Sequence, residues 1–385
     1  MEYKTQRLMI ALLKNALDNS TLTQEQKALL DEESLQELYT LSAKHDMAHL
    51  VGYSLKKQGL LQTSKLKASF EKQMMLAVFR SENMEHEIDS LVPFFEEEEI
   101  DFILLKGAVI KELYPEKWMR TFCDTDVLVR EKDIEKAAKS LADKLGYTEK
   151  GRTSHDVSFT TPSGVSIELH FDLLEQDMYA GADKLLSKVW ESAKVCSGFA
   201  HKMEMSDEMA YYYHIVHMAK HFGHGGCGVR PLIDLWIMGK ENAENRKRII
   251  DEGGLSAFAE TVQHISSVWF ENAEHTQLSA MTEEYILSGG VYGNYENRVL
   301  SQQAKKGGKL RYLLGRVFMP MESLKQRYPK VRKYPILAPI YQFERMFTMI
   351  REKRVKRAIR EMKVNANISK DKIKSGADLM KKLGI

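Results

Sequence analysis

Apolar residues recur at helical spacing through the first hundred positions of the chain. Ile10, Leu12, Leu13 and Leu17, then Leu35, Leu38, Tyr39 and Leu41, then Leu76, Phe79, Met84, Ile88 and Leu91 continue toward Phe94-Phe95. This spacing predicts helices across residues 1–97, with the acidic stretch from Glu96 to Glu99 standing before a first strand. Between residues 100 and 173 the pattern changes. An apolar run from Phe102 to Leu105 reads as a strand, and a short helical pattern stops before Pro115. A second strand runs to Val129, a helix spans Ile134 to Leu145 and ends at Gly146, and strands near Val157–Thr161 and Val165–Phe171 are joined by the turn Pro162-Ser163-Gly164. From residue 183 onward the pattern is helical again. The expected class is α+β, a small mixed sheet flanked by helical N-terminal and C-terminal regions. Four segments follow: a helical region 1–97, a mixed core 98–180, a helical region 181–300 that completes a cleft, and a helical region 301–385.

Two of the strands carry carboxylates in a pattern that structure alone does not explain. In Asp124-Thr125-Asp126-Val127-Leu128-Val129 the two acids are two residues apart, so both project from one face, with Cα atoms roughly 6.5 Å apart and Val127 and Val129 turned away. Like charges on a largely buried strand repel and are costly to desolvate, so they need cationic partners. Divalent metal ions are the natural partner; the alternative is that the two acids cap a turn or pair with Arg120 and Arg130. In Val165-Ser166-Ile167-Glu168-Leu169-His170-Phe171-Asp172 the alternation is strict, and Ser166, Glu168, His170 and Asp172 share the polar face. Glu168 is thus a third candidate carboxylate for a site in which metal ions about 3.5–4 Å apart clamp the attacking and leaving oxygens of a phosphoryl or nucleotidyl transfer. Mg²⁺ or Mn²⁺ suits such oxygen ligands. His170 could orient a carboxylate, contact phosphate or stand at the surface. Upstream, the strand, the Lys106-Gly107 turn and the short helix form a phosphate-binding arrangement: Gly107 permits close backbone approach, free helix N–H groups face an anion, and Lys106 adds positive charge.

In order along the chain, Leu104-Leu105-Lys106-Gly107, Tyr114, Arg120, Asp124, Asp126, Leu128-Val129, Gly146-Tyr147 and Glu168-Leu169-His170 resemble the nucleotidyltransferase superfamily typified by DNA polymerase beta. They resemble more closely a bacterial group of uncharacterised nucleotidyltransferase-like proteins, over roughly residues 85–240. The resemblance implies a nucleotidyltransferase-like core and Mg²⁺-dependent transfer of an NMP group from an NTP to a hydroxyl or phosphate acceptor on a protein, tRNA or small molecule. Asp124, Asp126 and Glu168 would be the catalytic metal ligands, and Lys106, Gly107, Arg120 and His170 would hold the nucleotide. The Gly-Ser turn usual in the superfamily is Gly107-Ala108 here, without a hydroxyl. The alternative is a weakly active or inactive member serving as a nucleotide, RNA or protein-binding module.

A helix starting at Ser206-Asp207-Glu208 places His214, His217 and His221 on one face, with His224 just beyond. Three readings stand: a zinc-type site, a polar face closing the substrate cleft, or packed histidines. The cleft reading takes His217, His221 and Arg230 as its residues. Asp234 could pair with Arg230 at i,i+4.

Composition adds three points. Cys123, Cys196 and Cys227 are far apart with no CxxC pairing, which argues against a disulfide framework and a cysteine-rich zinc module; Cys123 reads as a packing residue. No run approaches the ~18 apolar residues of a membrane span and the start lacks a signal-peptide pattern, so a cytoplasmic protein is expected. The net charge of +2 hides an asymmetry: residues 301–385 hold 23 Lys+Arg against 6 Asp+Glu, leaving 33 against 48 in residues 1–300. The basic segment, with Lys353-Arg354-Val355-Lys356-Arg357 and Arg360, invites an RNA or another anionic partner, or neutralises the acidic body of its own chain.

Overall fold

The computed structural model describes residues 2–175, 179–291, 293–306, 318–319, 321, 324–325, 328–351, 363–364 and 366–385. The basic run from Lys353 to Arg360 lies outside the described residues. The chain divides into two compact units, one of residues 1–217 with 229–275, the other of residues 218–228 with 276–385.

The first unit opens with five helices: α1 (Glu2–Asp18), α2 (Gln24–Ala28), α3 (Glu32–Lys44), α4 (Ala48–Lys57) and the long α5 (Lys67–Glu97). Capping boxes start α2 at Thr23 and α3 at Asp31, where each side chain accepts from the backbone N–H three residues on. The alternating part follows as β1 (Phe102–Leu104), α6 (Gly107–Ile110), β2 (Asp124–Val129), α7 (Ile134–Leu145), β3 (Thr148–Arg152), β4 (Asp156–Thr160) and β5 (Ser166–His170). Short α8 (Ala180–Leu186) and α9 (Val189–Ser192) lead to β6 (Lys194–Val195) and β7 (Lys202–Glu204). The expectation that residues beyond 183 are helical throughout is therefore corrected: the chain returns to the sheet before α10 (Asp207–Gly223), α11 (Arg230–Ile237), α12 (Ala243–Gly253) and α13 (Ser256–Phe270).

The α+β class holds, with one seven-stranded mixed sheet in the order β3-β4-β5-β2-β1-β7-β6. β2 runs parallel to β5 and antiparallel to β1, while β1 and β7 are parallel. One face of the sheet packs its apolar residues, Val127, Val129, Val157, Phe159, Ile167 and Leu169, with Met84, Ile88, Leu91 and Phe95 of α5 and Ile134, Ala138 and Leu141 of α7. That burial fixes register, because slipping β2 by one residue would drive Asp124 and Asp126 into this core. α7 stops at Gly146, whose φ of 67° is the left-handed conformation that glycine adopts without a Cβ penalty. The adjacent Tyr147 hydroxyl donates to the buried Glu87 of α5 at 2.9 Å, tying the end of α7 to the long helix.

The second unit contains α14 (Gln277–Gly289), α15 (Tyr295–Lys306) and a helix at Lys370–Leu383, with Val299, Leu300 and Ile368 in a small core. Among the described residues no helix is long and apolar enough to cross a membrane.

Candidate functional site

The face of the sheet opposite the α5–α7 core carries the acids. The parallel register of β2 and β5 sets Asp126 directly beside Glu168, with Asp124 beside Ser166 and Leu128 beside His170. Asp126, Glu168 and His170 each offer a donor atom within 4.8 Å of the others, while Asp124, two positions back on the same face, is not part of that tight group. Asp126 is 3% exposed and Glu168 is half-buried.

Asp126 is the electrostatic centre. Lys106 Nζ donates to its Oδ1 at 3.1 Å and His170 Nε2 donates to the same oxygen at 2.7 Å. Burial alone would raise the Asp126 carboxyl, but the Lys106 charge and the His170 hydrogen bond outweigh it and hold the group well below the usual carboxylate range. Asp124 has the reverse balance. Burial, then the neighbouring Asp126 and Glu168 charges, push it up to about 6 against the pull of Lys106. Burial depresses Lys106, yet Tyr213, Asp126 and Asp124 together carry it well above the usual lysine range. His170 is buried too, which lowers its affinity for a proton, but its bonds to Asp126 and Glu168 raise it overall. It is 3% exposed, so it is no surface histidine.

Lys106 and His170 therefore both reach Asp126 through one oxygen, Oδ1. The donor set of Asp124, Asp126 and Glu168 is made of carboxylate oxygens on one face, the hard ligand type that Mg²⁺ or Mn²⁺ takes. The donor type suits such an ion, with Asp126 and Glu168 close together and Asp124 on the same face, and a cation there would offset the carboxylate charges that, after burial, raise Asp124.

Lys106 sits at the start of α6 with φ of 46° and ψ of −114°, an uncommon conformation for a residue bearing a Cβ. Leu105 N–H donates to Asp126 O at 3.0 Å, so the strand-turn junction is pinned to β2 on one side. Gly107 is required here by close packing: a Cβ on it would come within 2.7 Å of Phe122 Cγ and 2.8 Å of Arg120 Nη1. The space expected for a ligand's approach to its Cα is occupied by those two side chains. On the β1 side, a cavity of about 630 Å³ lies beside Lys106, lined by Leu104, Ala108, Lys111, Met203, Met205 and Tyr213 among others.

Arg120 is committed elsewhere. Its Nη2 and Nε donate to Asp234 on α11, and the Tyr114 hydroxyl donates to the same carboxylate at 2.7 Å. Asp234 thus pairs with Arg120 and not with Arg230, because Arg230 donates to Asp46 and Thr121. Arg130 bonds Asp101 at 3.0 Å, which leaves Lys106 as the cation on Asp126.

The histidine helix exists as α10, but its histidines diverge in setting. His214 Nε2 bonds the Pro231 carbonyl at 3.1 Å, and burial lowers its proton affinity. The His217 ring lies against Tyr213 with ring centres 6.3 Å apart. His221 belongs to the second unit, where its carbonyl accepts from His224 and Gly226. Cys123 is exposed, which corrects its reading as a packing residue.

Sequence reasoning missed His155 and Asp156, which face His170 from β4 and the turn before it. The only signal was a histidine-aspartate pair opening an apolar strand.

Residues 31–270 match the model of a family described as uncharacterised nucleotidyltransferase. Neither a curated protein nor a solved structure matches the chain.

Proposed function

The chain belongs to this family of nucleotidyltransferases, and from that premise we propose that it transfers an NMP group from an NTP in a reaction that depends on a divalent metal. One observation carries the reading. Asp126 and Glu168 are side by side across β2 and β5, and Asp124 on the same face is pushed up to about 6 by burial and by those two neighbours. Clustered carboxylates that raise one another's proton affinity support a cation site there.

In this reaction an acceptor oxygen attacks the α-phosphorus of the NTP, the bond to the bridging oxygen breaks, and pyrophosphate leaves while the acceptor proton passes to solvent. Asp124, Asp126 and Glu168 would hold a divalent ion, which when bound would supply charge neutralisation at the phosphates and lower the cost of deprotonating the acceptor. The chain's own residues position the parts. Lys106, with donors beyond the one given to Asp126, presents charge to the triphosphate. His170 holds Asp126 in place. Arg120 acts through Asp234, fixing α11 against the Gly107 turn rather than gripping phosphate. The cavity beside Lys106 is large enough to take the base or part of the acceptor.

Thermal melts of the full chain with ATP, GTP, CTP or UTP test this reading. One NTP with Mg²⁺ or Mn²⁺ raises the melting temperature, EDTA cancels the shift, and Asp124→Asn abolishes it. An NTP shift that is equal in EDTA and in Asp124→Asn overturns the proposal.

A second reading draws on a specific contact. Lys106 Nζ already bridges Asp126, and Ala108 offers no hydroxyl to the phosphates, as a metal-free binding module would have it. Such a protein binds nucleotide or RNA without turnover. Mass analysis of the products, with RNA binding measured against salt, separates the two.

A further inference from the structure

Beside the three acids stands a second set of donors that shares His170 with them and adds two residues nucleotidyl transfer does not use. Asp156 is paired directly with His170 across the antiparallel β4–β5 register, and His155 precedes it. One donor atom from each of His155, Asp156 and His170 lies within 4.8 Å of the others. All three are buried, at 7%, 6% and 3% exposure, so no layer of solvent screens them.

The geometry is preset. His155 Nε2 lies 3.1 Å from Asp156 Oδ2. Two ligands of one tetrahedral ion at zinc-ligand distances are roughly 3.3 Å apart. Thr153 Oγ1 sits 3.0 Å from His155 Nδ1 and so fixes the ring. The rings of His155 and His170 are 5.8 Å apart, centre to centre.

A separate observation points to a ligand. His170 spends Nε2 on Asp126, and its Nδ1 is buried with no hydrogen-bond partner. A polar atom left that way costs about 1–3 kcal/mol. With Nε2–H given to an ionised carboxylate, the neutral imidazole, the form that binds a metal, carries its lone pair on Nδ1.

We propose that His155, Asp156 and Nδ1 of His170 bind a transition-metal cation of the zinc type, separate from the acid site. Two imidazoles and one carboxylate select Zn²⁺ or a similar ion over Mg²⁺, and three protein ligands leave one position for water. His170 then spans both sites, with Nε2–H on Asp126 and Nδ1 on the metal. A metal-bound histidine whose other N–H meets a carboxylate is fixed in tautomer and orientation. The ion would thereby set the position of Asp126 from behind.

The test uses the full chain, stripped with EDTA and dialysed against Zn²⁺ in excess Mg²⁺, with bound zinc measured per chain. Co²⁺ substitution gives a visible spectrum of the ligand field. We expect one equivalent of zinc that survives excess Mg²⁺ and is lost in His155→Ala and Asp156→Asn. Asp124→Asn keeps it, and Asp126→Asn weakens binding about 10–100-fold. Melts in EDTA establish that the variants fold, and His155→Gln replaces His155→Ala if that variant does not. Wild-type protein that retains no zinc overturns the proposal, as does binding unchanged in the His155 and Asp156 variants. Loss in Asp124→Asn equal to that in His155→Ala also overturns it, by assigning the ion to the acids.

Discussion

Arg120 Nη2 donates to Asp234 Oδ2 at 2.8 Å and Arg120 Nε to Oδ1 at 3.3 Å, closing a forked ion pair between residues 114 positions apart. Both side chains are buried, and burial, which opposes charge on each, is outweighed by the partner, so Asp234 is held below the carboxylate range and Arg120 above its usual value. Tyr114 satisfies the same carboxylate. The pair connects α11 to the segment just before β2, and Arg120 Nη1 lies against Gly107. It therefore holds the Lys106-Gly107 turn in place.

Breaking this pair from one side leaves a buried charge. Asp234→Ala is expected to cost about 3–5 kcal/mol, read as a lower urea midpoint. Arg120→Lys also loses stability, because an ammonium does not reproduce the fork. A loss below about 1 kcal/mol for Asp234→Ala would mean that solvent reaches the guanidinium.

Gly107→Ala tests close packing directly. Its added methyl meets Phe122 and Arg120 inside ordinary contact distance, and overpacking of this kind costs about 1–3 kcal/mol. The melting temperature falls and the NTP-dependent shift shrinks with it, since Lys106 is displaced. An unchanged melt would show that Phe122 has room to retreat.

Asp124→Asn removes a charge that the folded protein resists. The carboxyl rises from 3.8 to about 6 on folding, so its proton-linked contribution favours the folded state fully below about pH 4. That contribution is lost as pH rises through about 6. In EDTA the variant should gain stability relative to wild type as pH is raised from 4 to 8, approaching about 1–3 kcal/mol. Melts at paired pH values measure it. A difference that stays flat with pH would remove the repulsion that the metal reading relies on.

Lys106→Met keeps much of the stem and removes the charge. Loss of one preorganised cation on the phosphates lowers kcat/KM about 10²–10³-fold, and it also leaves Asp126 with His170 as its remaining partner. Unchanged NTP affinity and rate would place Lys106 outside the phosphate path.

The parts of the site that could be read from sequence are those whose signal is local. β5 alternates strictly between apolar and polar residues and the two acids of β2 stand two positions apart, so the faces of Asp126 and Glu168 follow from period two alone. β3 carries five exposed residues and has no buried face to create alternation, and β6 and β7 are two and three residues long. Those strands are set by pairing with neighbours, which no local pattern reveals. The partner of Asp234 was hidden for the same reason: helical spacing offered Arg230 at i,i+4, while the fold supplies Arg120 from far upstream. His170 looked equally suited to solvent, and only the packing of β4 and β5 makes it a buried bridge to Asp126.

Parallel neighbours cannot be joined by a tight turn. β2 and β5 run parallel, so the polypeptide must lay down α7, β3 and β4 before Glu168 can arrive next to Asp126. A chain emerging from the ribosome with β2 complete but β5 still in the tunnel carries the aspartates and no finished site. The acid cluster is therefore complete only after residue 170 has been made and β5 has paired with β2, which makes the site a product of sheet assembly and not of any local segment.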